Sequence, residues 1–211
     1  MPAADVTVWA PIVGDQDISG TLHTWSTSGG NDPAWDATGW SDGTAQVTFD
    51  TGELMTCTTM DDSETSDDWT LLCLMDQTDA ATGQMFAMEL GGNAAFAMST
   101  AGTPSDEMAW FNVAYVKSGT AIDTGEQIRA WRVDGSGAAK VDFWKNKTKF
   151  TQGDISTYPT IAMATNQYLM QYASLATNRA QVKAVLLFRK ALTDDEVEVA
   201  RKALAIYGGL E

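Results

Sequence analysis

The chain has 211 residues, of which 44% are hydrophobic and 19% charged, an ordinary composition for one globular domain. Its net charge of −15 is unevenly distributed, because residues 1–116 contain 18 carboxylates and no lysine or arginine, whereas all 13 basic residues come later. A surface of this sign repels phosphate, which excludes nucleic acid as a partner of the first half. It leaves a solvated acidic surface, a cation site, a basic partner or head-to-tail contact between copies of the chain.

The N-terminal residues 1–8 lack the basic and apolar regions of a secretory signal. No apolar run reaches the roughly 18 residues that a membrane-spanning helix needs, so no membrane insertion is expected. If the protein works outside a cell, we expect it to leave by a route other than a cleaved signal. Cys57 and Cys73 both fall in strand-like runs, which favours buried free thiols over a disulfide.

The first part of the chain is rich in turn residues. DVTVWAP predicts a short edge strand, and loop-like sequence follows to about Gly43. Three tryptophans, Trp25, Trp35 and Trp40, lie in this segment. They could form an aromatic platform for sugar rings, or they could cover the core beneath a long loop.

Residues 61–68, DDSETSDD, form a polar loop with five carboxylates. Oxygen ligands such as those of Asp61, Asp62 and Asp67 could hold calcium. However, the glycine and terminal glutamate of an EF-hand loop are missing, which favours a solvated loop. The sequence predicts no cofactor, and calcium is the one ion for which it offers a candidate site.

The segment IRAWRVDGSGAAKVDFWKNKTKF predicts a hairpin with strands over residues 128–133 and 139–144. A turn at Asn146, with positive φ, then leads to a third strand that ends at Phe150. Lysines make this region the most basic of the chain: Lys140, Lys145, Lys147 and Lys149. They could contact a partner, or they could keep an edge strand from pairing with another molecule.

The segment from Gln181 to Leu210 predicts a buried strand followed by a helix. Val182, Ala184, Leu186 and Phe188 alternate onto one side, while Val185 and Leu187 occupy the other.

Thr193 and Glu196 form the pattern of a capping box at the start of the helix. Helical spacing then predicts that Val197, Ala200, Leu204 and Tyr207 dock on the body of the protein. Gly208 is expected to adopt the left-handed conformation at the C-terminal cap.

Several of these segments, in this order, resemble the concanavalin A-like, laminin G-like domains: TLHTWSTSGGND, AQVTFDTGELMTC, DDWTLLCLMD, the hairpin above and AVLLFRKALTDDEVEVARKALAIYG. The resemblance implies one all-β domain over residues 1–211. It would be a concanavalin A-like jelly-roll β-sandwich of two antiparallel sheets with a short C-terminal α-helix. Such domains commonly hold ligands in loops along one rim or on the concave face. They occur in adhesins, sugar-binding modules and structural proteins of phage particles.

Enzymes share this fold, and the glucanase branch carries its acids as Glu-x-Asp-x-Glu on one strand. That pattern is absent here, and no candidate nucleophile accompanies the single histidine, His23. The sequence therefore indicates a non-enzymatic protein.

Two functional hypotheses follow. In the first, the chain is a lectin-like structural protein on the surface of a phage or similar particle, as a capsid decoration, head-fibre or tail accessory subunit. Its partners would be capsid or tail proteins, and it would occur on the virion or outside the cell after lysis. In the second, it is an adhesion module that binds cell-surface glycan, with calcium if the acidic loop holds one. Both can hold together, and self-association into a homo-oligomer is compatible with either.

Overall fold

The structure is a computed structural model, and it describes residues 6–9, 25–26, 33–50, 53–57, 65–66, 68–77, 84–91, 94–99, 107–110, 114–117, 124–134, 139–155, 161–162, 167–172, 175–176, 180–188 and 190–211. These residues form nineteen strands and one helix. In chain order they are β1 (Val6–Trp9), β2 (Trp25–Ser26), β3 (Ala34–Asp36), β4 (Gln46–Phe49), β5 (Met55–Cys57), β6 (Thr65–Ser66), β7 (Trp69–Gln77), β8 (Gln84–Gly91), β9 (Ala94–Ser99), β10 (Glu107–Trp110), β11 (Ala114–Lys117), β12 (Gly125–Asp134), β13 (Ala139–Lys145), β14 (Thr148–Ile155), β15 (Ile161–Ala162), β16 (Gln167–Leu169), β17 (Gln171–Tyr172), β18 (Leu175–Ala176), β19 (Ala180–Phe188) and α1 (Asp194–Tyr207).

Most strands belong to two antiparallel sheets. The first sheet has eight strands in the order β14-β13-β12-β7-β19-β4-β3, with β1 also paired to β19. The second sheet has seven strands in the order β11-β10-β9-β8-β16-β5-β2. Two short pairs, β15-β6 and β17-β18, lie outside them. The predicted all-β, concanavalin A-like jelly-roll sandwich of two antiparallel sheets with a C-terminal helix is confirmed.

The centre of the first sheet is buried on both faces. Leu72 and Leu74 of β7 belong to the apolar cluster that α1 covers. The alternate residues Leu71, Cys73 and Met75 are also fully buried, on the face toward the second sheet. Cys73 is a free thiol, as predicted. Burial on both faces explains why the sequence of β7 is a nearly continuous run of apolar residues.

A bulge in β19 places residues of this strand on different faces of the sheet from those that the sequence predicted. Ala184 pairs with Leu74, but Val182 pairs with Met75, and the register shifts between them. Because neighbouring residues of β7 point to opposite faces, Val182 and Ala184 do as well. The prediction that they share a side was therefore wrong, since one extra residue, Lys183, is inserted into the strand.

The helix begins as the sequence predicted. Thr193 Oγ1 accepts a hydrogen bond from the Glu196 backbone N–H at 3.3 Å, and Glu196 Oε2 accepts one from the Thr193 N–H at 2.8 Å. The apolar face of α1 buries Val197, Leu204 and Ala205. In the described part of the chain, no helix has the length and apolar character needed to cross a membrane.

The left-handed residue that follows the helix lies one position later than predicted. Gly208 has φ −90°, whereas Gly209 has φ +69° and occupies the left-handed position. The N–H of Gly209 donates to Ile206 O, and that of Leu210 donates to Ala205 O, which together form a Schellman motif. A Cβ at Gly208 would lie 2.8 Å from Leu74 Cδ2, so a larger residue there would require the buried Leu74 side chain to shift.

Candidate functional site

Trp35 lies on β3, the edge strand of the first sheet, with 43% of its surface exposed. The sequence predicted a loop here, because the strand has only three residues between turn-forming neighbours. Trp35 pairs with Val47 of β4, which is buried. The backbone of Trp35 is therefore joined to the sheet, while 43% of the residue's surface is open to solvent.

Trp40, five residues later, has the opposite environment. It is 2% exposed, belongs to the cluster under α1, and its Nε1 donates to Gly208 O at 2.8 Å. No face of this indole is available to a sugar ring. Of the two alternatives for the predicted tryptophans, the structure gives Trp40 the core role, and its assignment as a ligand-binding residue was wrong.

The loop between Trp35 and β4 is anchored at three points. The first is Trp40. The second is Ser41, whose N–H donates to Glu126 Oε1 at 2.8 Å and whose hydroxyl donates to Glu126 Oε2. The third is Asp42, which accepts a hydrogen bond from Lys183 Nζ at 2.9 Å. These contacts reach β12, β19 and the residue that caps the C-terminal end of α1, so they tie the loop that follows β3 to the body of the protein.

Lys183 is 1% exposed, and it is the residue that the bulge in β19 turns toward this loop. Its ammonium lies 5.1 Å from the Trp40 ring centroid and 5.2 Å from that of Tyr207. It also donates to Thr44 Oγ1. Burial raises the pKa of Asp42, but the hydrogen bonds from Lys183 and Thr44 outweigh this effect and bring the pKa to about 2. The buried cation thus has a fixed anionic partner.

The topology brings two of the predicted tryptophans to one side of the sandwich. β4 and β5 follow each other through a tight turn in which the Glu53 N–H donates to Asp50 O at 3.0 Å. β3 pairs with β4 in the first sheet, and β2, which contains Trp25, pairs with β5 in the second. We call this side, formed by β2 and β3, the tryptophan edge. The side chain of Trp25 lies outside the described residues.

The predicted lysines lie at the opposite side. β13 and β14 end the first sheet, and β14 lies six strand spacings from β3, which corresponds to roughly 30 Å along the sheet. We call this side, with Lys140, Lys145, Lys147 and Lys149, the lysine edge. Asn146 between its strands has φ 53°, as predicted. β14 is an edge strand, the situation that the protective alternative requires.

Lys147 and Lys149 make ion pairs within the chain. Lys149 Nζ lies 2.9 Å from Asp194 Oδ2 in the first turn of α1, and Lys147 Nζ lies 2.9 Å from Glu211 Oε1. Arg132 joins the same network by pairing with Asp142 and Asp194. The lysine edge therefore helps to hold both ends of the helix. The side chain of Lys140 lies outside the described residues, and contact with a partner stays a prediction.

Asp61, Asp62 and Asp67, predicted as candidate calcium ligands, lie outside the described residues, and so does His23. Among the residues that are described, no group of three or more His, Cys, Asp or Glu side chains is arranged to hold a metal. The calcium site stays a prediction.

The structure also brings together two carboxylates that the sequence did not connect. Asp76 of β7 and Glu126 of β12 are direct partners across the sheet. Burial raises the pKa of Asp76, and the charge of Glu126 raises it further. Both oxygens of Glu126 bind Ser41, so this residue serves as an anchor for the loop. The pair arises from strand register between residues 50 positions apart, which no local sequence pattern reveals.

In sequence, the chain matches no protein-family model and no curated protein. In structure, it is similar to receptor-binding domains of botulinum neurotoxins. For the binding domain of serotype G the TM-score is 0.68 at 12% identity, over 94% of this chain and 50% of the other.

For a type C structure that concerns cell entry through two ganglioside molecules, the TM-score is 0.67 at 7% identity, over 96% of this chain and 52% of the other. For the serotype D ligand-binding domain in complex with N-acetylneuraminic acid it is 0.65 at 8% identity, over 95% and 51%. The chain thus spans about half the length of these structures, and the likeness concerns the fold. It supports the β-sandwich fold that the sequence resemblance implied.

Proposed function

We propose that the chain is a non-catalytic, lectin-like module that binds glycan at the tryptophan edge. The observation that carries this proposal is Trp35, a large aromatic side chain that is 43% exposed on an edge strand. Sugar rings present apolar C–H faces that stack on indole, while their hydroxyls bond to polar groups nearby.

The support beneath Trp35 strengthens the proposal. The loop that follows it is fixed by Trp40, Ser41 and Asp42, so the backbone beside the indole is already tied to the body of the protein before a ligand arrives. A site held in place before binding loses less conformational entropy. The similar structures point in the same direction, since one is in complex with a sugar and another concerns ganglioside binding.

Replacing Trp35 by alanine tests the proposal on an array of immobilised glycans. Loss of one stacking contact should weaken binding roughly tenfold. Trp35→Phe should retain part of the affinity, because a smaller ring still stacks. Ile206→Ala is the matched control, since Ile206 is an exposed apolar residue on α1 and not on β2 or β3. Unchanged binding by Trp35→Ala, or equal loss in the Ile206 variant, would contradict the proposal.

The predicted role on a phage or similar particle is compatible with glycan binding and stays a prediction. So does the expected location on a virion or outside the cell after lysis. A particle protein with this fold would use the tryptophan edge for sugar and another surface for capsid or tail proteins.

A further inference from the structure

The strand register places Trp35 on the inner face of the first sheet. A line of direct partners runs across four strands of this sheet: Trp35, Val47, Val182 and Met75. Directly paired residues lie on the same face of a sheet. Met75 is buried on the face toward the second sheet, so Trp35 occupies that face as well, at the end strand β3.

The second sheet has a corresponding line of partners. Five strands contribute large apolar residues to it in direct register: Trp110, Phe96, Met88, Leu169 and Met55. Leu169 and Met55 are buried, so this line lies on the face toward the first sheet. Cys57 comes two positions after Met55 on β5 and is therefore on the same face. Trp25 is the direct partner of Cys57, so it occupies this inner face at the end strand β2.

The two tryptophans also lie at similar heights along their strands. The turn between β4 and β5 is closed by the hydrogen bond from the Glu53 N–H to Asp50 O. The partner of Trp35 lies three residues before Asp50, and the partner of Trp25 lies four residues after Glu53. At about 3.3 Å per residue, the two positions differ by only about 3 Å in height. Facing sheets pack about 10 Å apart, which sets the distance between the two backbones.

A sugar ring that stacks on both of its faces fits a gap of this width. Each stacking contact places carbons about 3.5–4 Å apart, so a ring between two indoles needs about 7–8 Å between them. Trp35 keeps 43% of its surface open although Trp25 occupies the opposite position. We propose that Trp25 and Trp35 hold one sugar ring between them. This inference rests on the proposed function, to which it adds a second contact and a ligand class.

Two facing indoles would select sugars by the shape of both ring faces. In a pyranose with only equatorial hydroxyls, such as β-glucose, both faces present C–H groups alone. An axial hydroxyl, such as that of galactose, would be buried against one indole without a hydrogen-bond partner, which costs free energy. The contact with that indole is then lost, while the contact with the other is kept. The ligand class is therefore glycans with glucose-type units, in preference to galactose-type units.

The test compares soluble β-linked oligosaccharides of glucose and of galactose by calorimetry. One stacking contact is worth roughly tenfold in affinity, so the wild-type protein should bind the glucose series about tenfold more tightly. Trp25→Ala should bring this ratio close to one, because a single indole can stack on the apolar face of either sugar. Trp25→Phe should give an intermediate ratio. Ile206→Ala, on the exposed face of α1, is the matched control and should leave the ratio unchanged.

A merely structural role for Trp25 is distinguished by the same ratio. Loss of packing would weaken binding of both series alike and leave the ratio as it is in wild type. That result in folded Trp25→Ala would overturn the inference.

A second measurement needs no variant and therefore does not depend on whether Trp25→Ala folds. Saturation-transfer NMR of a glucose oligosaccharide with the wild-type protein should show transfer to the axial hydrogens on both faces of one ring. Transfer to one face alone would overturn the inference, and the proposed function would stand if binding still depended on Trp35. If no glycan binds in a Trp35-dependent manner, the proposed function fails and the inference with it.

Discussion

At the scale of single residues, the folded structure disfavours the ionised form of the Asp76 side chain. Its partner across the strands is Glu126, and both burial and that neighbouring charge raise the pKa of Asp76. A raised pKa means that the folded state binds the proton more strongly than the unfolded chain does. The ionised side chain therefore costs stability at pH values above its raised pKa. This cost disappears as the pH falls below the ordinary value of 3.8.

We accordingly expect Asp76→Asn to stabilise the protein. Removing a like charge directly opposite another should raise the free energy of unfolding at pH 7 by roughly 0.2–1 kcal/mol. Denaturant unfolding curves between pH 7 and pH 3, measured beside wild type, check both the gain and its loss in acid. Asp195→Asn, which removes an exposed acid from the first turn of α1, should give no gain. A gain that persisted below pH 3.8 would show that the charge is not its cause.

For single residues, the sequence could not predict which tryptophan is buried and which is exposed, as Trp35 and Trp40 show. Both lie in the same turn-rich segment, and nothing local distinguishes them. Their environments are set by distant residues, because Trp40 is buried by its contact with Gly208, 168 positions away. The sequence could therefore name the candidates without separating the core residue from the exposed one.

At the scale of single elements, α1 was predictable because its signals are local. Its capping box involves residues three positions apart, and its apolar spacing depends on helical periodicity alone. The bulge in β19 was not predictable, since it is defined by pairing with β7, more than 100 residues earlier. The same bulge explains how Lys183 can lie in a strand that otherwise consists mostly of apolar residues, since it turns this side chain toward Asp42.

The buried face of α1 gives a direct stability prediction. Leu204 is buried in the cluster with Leu74 and Ile128, so Leu204→Ala should lower the free energy of unfolding by roughly 2–4 kcal/mol. Ile206→Ala on the exposed face of the same helix should change it by less than about 0.5 kcal/mol. Thermal or denaturant unfolding of the two variants checks the difference. Similar values for both would mean that the helix does not pack as described.

At the scale of the whole molecule, the jelly-roll sandwich could be predicted because many short strands recur between turns in a family-like order. The strand order could not, since it depends on pairings across the entire chain. One domain over residues 1–211 stays a prediction. The separation of the tryptophan edge from the lysine edge likewise emerged only from the order β14 to β3.

The predicted contact with particle proteins concerns the surface of the whole molecule. If the lysine edge makes that contact, replacing Lys140, Lys145, Lys147 and Lys149 by glutamine should lower occupancy on particles that lack the protein. The difference from wild type should narrow as salt rises. Because Lys147 and Lys149 also pair with Glu211 and Asp194, the melting temperature must be measured in parallel. Exposed pairs contribute only about 0–1 kcal/mol each, so the fold should survive. Equal occupancy at low salt would exclude the lysine edge as the contact.

The distance between the two edges has a consequence for copies attached to a common surface. A molecule attached by its lysine edge turns Trp35 outward, roughly 30 Å along the sheet from the attachment. Many such copies would present their indoles together to a second surface that repeats the same sugar. Each single contact could then be weak, because once one is made its neighbours meet their ligands at a high effective concentration. Free protein and surface-attached protein would differ greatly in how long they stay on such a surface, although every individual site is the same.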